Sequence, residues 1–202
     1  MTAVGLGFRE AGMLSVDTVT IPYGLFVLTG LILWTTFLES LYAPIYGFVT
    51  EQRLLARTSA PPEAILLGKF PQLFVNFGIK IVLLALGALW YGVSIPLTVL
   101  LAPIGLLGLI ALGTSVGLML SPINLVYRDV SRLLAVVTTF WLFLSPVYYP
   151  PPESGIFGAV IRFNPVTPLL SATRSAMLTG ELGNLLPIAA MIAGTILLLI
   201  VC

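Results

Sequence analysis

Five stretches of this chain, residues 22–43, 72–93, 96–120, 133–149 and 185–201, are dominated by Leu, Ile, Val, Phe and Ala. Each approaches the roughly 20 apolar residues that a helix needs to cross a bilayer core about 30 Å thick. Polar or proline-rich breaks separate them. A β-barrel would alternate with period two in segments of about ten residues, and stretches such as 79–89 show no alternation. The surface could not be made water-facing either. Only 8% of the 202 residues are charged, against about 25% in a soluble domain. The expected fold is therefore an all-α integral membrane protein: one transmembrane domain of about five crossings.

Lys and Arg set the orientation, because they collect on the cytoplasmic side. Arg53, Arg57 and Lys69 follow the first crossing, and Arg128 and Arg132 follow the third; Arg9, Arg162 and Arg174 fall on the opposite side. Five against three places those two loops in the cytoplasm, the N-terminus outside and the C-terminus inside. Residues 1–20 lack the basic and apolar regions of a signal peptide. Between the fourth and fifth crossings, 155–163 and 168–178 each read as a helix too short to span, broken at Asn164-Pro165. They are expected at the outer face, as re-entrant helices around 155–178 or as an interfacial loop. Irregular backbone at membrane depth must be buried in protein or line a wet cavity.

The chemistry is restricted. Histidine is absent and the single cysteine is Cys202, which excludes a disulfide framework, a Cys/His metal site and a serine hydrolase with a histidine base. The net charge of +1 excludes an electrostatic nucleic-acid binder. Gly68-Lys69 is followed by Phe70, and Glu63 stands where a Walker A motif would begin. ATP-driven work would need another chain. No paired carboxylates stand out as catalytic, so no catalytic residue and no cofactor are assigned to this chain.

A few polar residues lie inside the crossings. Glu39, beside Thr35, Thr36 and Ser40, falls in the inner half of the first. A charge at that depth faces protein or water, so Glu39 is either a lining residue or a paired side chain near the interface. Asn76 and Lys80 share a face of the second crossing, and Lys80 either snorkels to the inner interface or lines a polar conduit. Gly113 and Gly117, flanked by Thr114 and Ser115, form a small-residue face suited to close helix packing. Aromatic residues including Tyr42, Trp141, Tyr148 and Tyr149 fit an interfacial belt or a surface on which sugar rings stack. The candidate path residues are thus Glu39, Tyr42, Asn76, Lys80, Trp141, Tyr148 and Tyr149.

Four strings occur in order along the chain: Pro22-Tyr23-Gly24-Leu25-Phe26, running into Gly30-Leu31 and Trp34-Thr35-Thr36-Phe37; Asn124-Leu125-Val126-Tyr127-Arg128-Asp129-Val130; Leu144-Ser145-Pro146-Val147-Tyr148-Tyr149-Pro150; and Asn164-Pro165-Val166-Thr167, followed by Arg174 and Gly180. Together they resemble the membrane subunits of type-2 ATP-binding-cassette exporters of O-antigen, capsular polysaccharide and teichoic acid. The resemblance covers most of the chain. It implies a homodimer in the bacterial cytoplasmic (inner) membrane that encloses a path for a glycan or glycolipid. Each copy would dock on a separate ATPase subunit that carries the ATP and Mg. It also implies that Arg53, Leu54, Leu55 and Arg57, with Arg128 and Asp129, contact that ATPase.

Two departures qualify the resemblance. The family's Phe-Pro-Arg-Glu is replaced here by Ala60-Pro61-Pro62-Glu63. The family's first crossing has no counterpart, so the chain is expected to be incomplete or a shortened relative. The function expected is the transmembrane subunit of an ATP-driven glycan exporter. The alternatives are a membrane enzyme acting on lipid or glycan lipid through Glu39 and Lys80, and a non-exporting fragment or scaffold.

Overall fold

The computed structural model describes residues 22–50, 62–90, 99, 102–127, 129–150 and 155–178. Its elements are α1 (Tyr23–Thr50), α2 (Pro62–Trp90), α3 (Ala102–Val126), α4 (Val130–Leu144), α5 (Gly155–Phe163) and α6 (Val166–Leu178). Among the described residues there is no strand.

α1 is the axis on which α2 and α3 pack. It has 28 residues, about 42 Å at 1.5 Å per residue, more than a bilayer core requires. Its start is fixed by the carbonyl of Pro22, which accepts from the amides of Leu25 and Phe26. Leu25, Leu33, Phe37, Leu41 and Ile45 are fully buried, and their 3.6-residue period marks the inward stripe. α2 runs antiparallel, with Gly87 against Leu25 and Leu28 near the start of α1 and Lys80 against Glu39 further down. α4 is also antiparallel, while α3 runs alongside α1 in the same direction.

The α1 and α3 backbones approach closely along the small-residue face. A Cβ built on Gly113 would sit 2.1 Å from Ser40 Oγ and 2.8 Å from the Phe37 carbonyl oxygen. One on Gly117 would sit 2.2 Å from the Leu41 carbonyl oxygen. Glycine is required there because backbone atoms occupy the space a side chain would need. Prolines inside the helices remove a donor each, and side chains make good part of the loss. Pro122 leaves the Leu118 carbonyl without its helical donor, and the Ser121 hydroxyl donates to it instead at 2.9 Å.

Several boundaries differ from those read from sequence. α2 begins at Pro62 rather than near residue 72, because Pro71 sits inside the helix and costs one bond without ending it. α3 spans Ala102–Val126, six residues further along than 96–120, since Pro103 is tolerated in a first turn and Pro122 does not stop it. α4 ends at Leu144, with Ser145 already extended ahead of Pro146. α1 and α3 each contain a 25-residue stretch long and apolar enough to cross a membrane; Phe74–Trp90 and α4 are apolar but shorter. The expected crossing at 185–201 lies outside the described residues.

The segment between α4 and the C-terminal region forms two short helices. α5 has nine residues and α6 thirteen. α6 is set into the bundle, with Val166, Leu169 and Leu170 fully buried, and Thr173 meets Gly105 of α3.

Gly113→Leu and Gly117→Leu are expected to lower the melting temperature of the detergent-solubilised protein, since over-packing of this kind costs about 1–3 kcal/mol. Gly78→Leu, where the space is open, should leave the melting temperature unchanged or slightly higher. Equal tolerance at all three positions would refute the close α1–α3 contact.

Candidate functional site

Three polar side chains from α1 and α2 meet where these helices face each other. Lys80 Nζ lies 2.7 Å from Glu39 Oε1, and Asn76 Nδ2 donates to Glu39 Oε2 at 3.4 Å. Asn76 and Lys80 are one turn apart on α2, which lets both reach the same carboxylate. Glu39 is 16 positions from Tyr23, about 24 Å along α1, so by the charge-based orientation it lies in the inner half. The group carries no net charge. Its members are only partly buried, the Lys80 side chain 18% and the Glu39 side chain 32% exposed. Lys80 therefore does not run along α2 to an interface; its ammonium is held by Glu39. An unpaired charge near the bilayer centre costs about 2.5–3.5 kcal/mol on insertion scales, and mutual pairing offsets that for both residues.

The other candidate path residues are spread along α1 and α4. Tyr42, half-buried one turn below Glu39, shares a 3.2 Å hydrogen bond with Thr138 of α4 and stacks on Tyr46 with centroids 5.5 Å apart. Trp141 packs edge-on against Trp34 at 6.3 Å and Phe37 at 5.5 Å, so its ring belongs to an aromatic cluster between α1 and α4. Tyr148 and Tyr149 lie in the turn after α4. The Tyr148 carbonyl accepts from the Tyr23 hydroxyl at 3.1 Å, and the Tyr149 hydroxyl donates to the Phe143 carbonyl at 2.5 Å. The structure thus brings Glu39, Asn76 and Lys80 together, with Tyr42 one turn further along α1, while Trp141, Tyr148 and Tyr149 make their contacts elsewhere.

Of the proposed ATPase contacts, Arg53, Leu54, Leu55, Arg57 and Arg128 lie outside the described residues. Asp129 is exposed at the start of α4 and pairs with Arg132 at 3.1 Å. That surface pair contributes little to stability.

Two asparagines prove to be junctions: Asn124, which the sequence presented only within a longer string, and Asn164, which it presented as part of a helix break. Asn124 of α3 donates to the Ile45 carbonyl at 3.4 Å, and its Oδ1 accepts the Ser131 amide at 3.1 Å. It thereby satisfies a first-turn donor of α4 that Asp129, whose side chain makes no capping bond, leaves open. Asn164 Oδ1 accepts from Trp141 Nε1 and from the Val166 amide, each at 3.1 Å. Its Nδ2 donates to the Leu144 carbonyl at 3.2 Å and to Ser145 Oγ at 2.9 Å. The signal was available: Asn followed by Pro is the pairing of a capping residue with a first-turn proline.

The sequence pattern of the ABC-2 type transporter family matches residues 1–178. The chain belongs to the ABC-2 type transporter family. It is an all-α, multi-pass integral protein of the bacterial inner membrane. Among its relatives, the O-antigen export system permease protein RfbA of Klebsiella pneumoniae is 25% identical over 169 residues, 81% of this chain and 64% of that protein. The protein of the same name from Myxococcus xanthus is 23% identical over 181 residues, 88% of this chain and 69% of its own length. The chain thus spans less than two thirds of the Klebsiella relative.

Lys80→Met should lower stability by leaving Glu39 unpaired, and the double variant Glu39→Leu/Lys80→Met should recover much of the loss. Melting of the four proteins forms a double-mutant cycle, and strict additivity would show that the pair is not coupled. Asn164→Ala removes four hydrogen bonds and is expected to cost about 1–3 kcal/mol, measured in the same way.

Proposed function

We propose that this chain is the transmembrane subunit of an ATP-driven exporter that moves a polysaccharide or lipid-linked glycan out across the inner membrane. The observation that carries the reading is the family match over residues 1–178, supported by the likeness to the O-antigen export permeases of Klebsiella pneumoniae and Myxococcus xanthus. ATP and Mg would be held by a separate ATPase subunit, and two copies of this chain would enclose the path. The region of Arg53, Leu54, Leu55 and Arg57, with Arg128 and Asp129 ahead of α4, would receive the ATPase.

The polar cluster suits such a cargo. Glycan hydroxyls both donate and accept, and the Lys80 ammonium, Asn76 amide and Glu39 carboxylate supply both kinds of partner without net charge. An uncharged polymer meets no electrostatic trap there. The pairing weighs against the reading of Glu39 as a catalytic acid, because both its oxygens are already engaged by Lys80 and Asn76.

The test is co-expression with an ABC ATPase of the O-antigen export type, followed by co-purification and by measurement of surface glycan. The expected result is a stable complex that restores export. Glu39→Gln and Lys80→Gln should lower export by about tenfold, equivalent to about 1.4 kcal/mol, with the ATPase still bound. Asp129→Ala should weaken the complex without shifting the melting temperature. Failure of every such ATPase to bind would refute the exporter reading.

A further inference from the structure

A second polar cluster lies toward the start of α1, about 14 Å along that helix from Glu39. It concerns how α6 is held and does not depend on what the protein carries. Arg174 of α6 is 5% exposed. Its Nη1 donates to the Pro146 carbonyl at 2.8 Å and its Nη2 to the Val147 carbonyl at 3.0 Å. The guanidinium carbon sits 3.9 Å from the centre of the Phe26 ring. The Nε is buried without a partner. Among the described residues, no carboxylate lies within ion-pair distance of it.

The space for this head group comes from Gly30. A Cβ there would lie 2.2 Å from Arg174 Nη2 and 2.5 Å from the Val147 carbonyl oxygen. Three elements therefore converge on one side chain: α6 carries it, the turn after α4 accepts its bonds, and α1 supplies a ring and a gap. The planar guanidinium can direct two divergent N–H groups while its face covers an aromatic ring, which an ammonium cannot do. A buried cation answered only by neutral acceptors, with one donor unused, is incompletely compensated. Its two carbonyls belong to a turn rather than a helix, so they can part from it without breaking a helical ladder. The α1–α3 contact through Gly113 and Gly117 lies elsewhere on α1 and does not depend on it.

We infer that Arg174 is a positioning residue that pins α6 to the turn after α4 through the gap left by Gly30, and that releasing this pin unseats α6 without unfolding the bundle. Thr167, near the start of α6, provides a reporter: it is 6% exposed and its hydroxyl has no partner, so a thiol replaces it without loss of a hydrogen bond. The experiment places Thr167→Cys in a Cys202→Ser background and measures labelling by a membrane-impermeant maleimide in right-side-out vesicles. Melting of each protein is followed in parallel. With Arg174 and Gly30 intact, labelling should be slow. Arg174→Lys and Gly30→Ala should each accelerate it by about tenfold, a factor worth about 1.4 kcal/mol of seating, with a single cooperative melt retained. Unchanged labelling in both variants would overturn the inference, as would full protection restored by lysine. Loss of the folded protein in both would also overturn it, because the pin is assigned to one helix and not to the bundle.

Discussion

The close approach of α1 and α3 governs the rest of the arrangement. In lipid, helices gain little from burying apolar surface against one another, since the surrounding chains are equally apolar. What holds them is contact at short range, and Gly113 and Gly117 bring the α3 backbone onto Ser40, Phe37 and Leu41 of α1. With those two helices joined, the remaining faces of α1 are assigned in turn. Leu25 and Glu39 meet α2, Trp34, Phe37 and Tyr42 meet α4, and Gly30 meets the region of α6.

Where the helices stop, their polar backbone groups have to be satisfied inside the protein, and here side chains do it. Asn124 completes the first turn of α4 and ties it to the end of α1. Asn164 bonds the last carbonyl of α4 and caps α6 in one stroke, while Arg174 takes the carbonyls of Pro146 and Val147. Hydroxyls within the helices bond back one turn, as Thr36 does to Ile32 and Thr114 to Ile110, so they add polarity without exposing it. The contacts of Asn164 and Arg174 thus satisfy backbone groups at the end of α4, in the turn after it and at the start of α6.

Much of this was legible in the sequence. The helical class, the packing role of Gly113 and Gly117, the break at Asn164-Pro165 and the shared face of Asn76 and Lys80 follow from composition and 3.6-residue spacing. The helix ends were less legible: the second crossing was expected to begin at residue 72, whereas Pro71 lies inside α2 and one lost hydrogen bond does not stop a long apolar helix. Lys80 could be seen as charged but not as paired, since Glu39 is 41 positions away and spacing carries no information across helices. Arg174 was counted as an outer-face cation by charge position alone. Its burial depends on Gly30, Phe26 and the Val147 carbonyl, which no local pattern connects to it.

Three of the charged groupings among the described residues follow one rule of compensation scaled to depth. Asp129 and Arg132, side chains 79% and 86% exposed, are answered by water and need each other little. Glu39 and Lys80, partly exposed within the bundle, are answered by each other and by Asn76. Arg174, the most deeply buried, has carbonyl oxygens and a ring in place of a counter-charge. The gradient separates two mechanical roles. A pair that neutralises itself while partly exposed can exchange partners with other polar groups that reach it. A cation sealed among carbonyls has no such access, so its effect must be exerted through the helix that carries it.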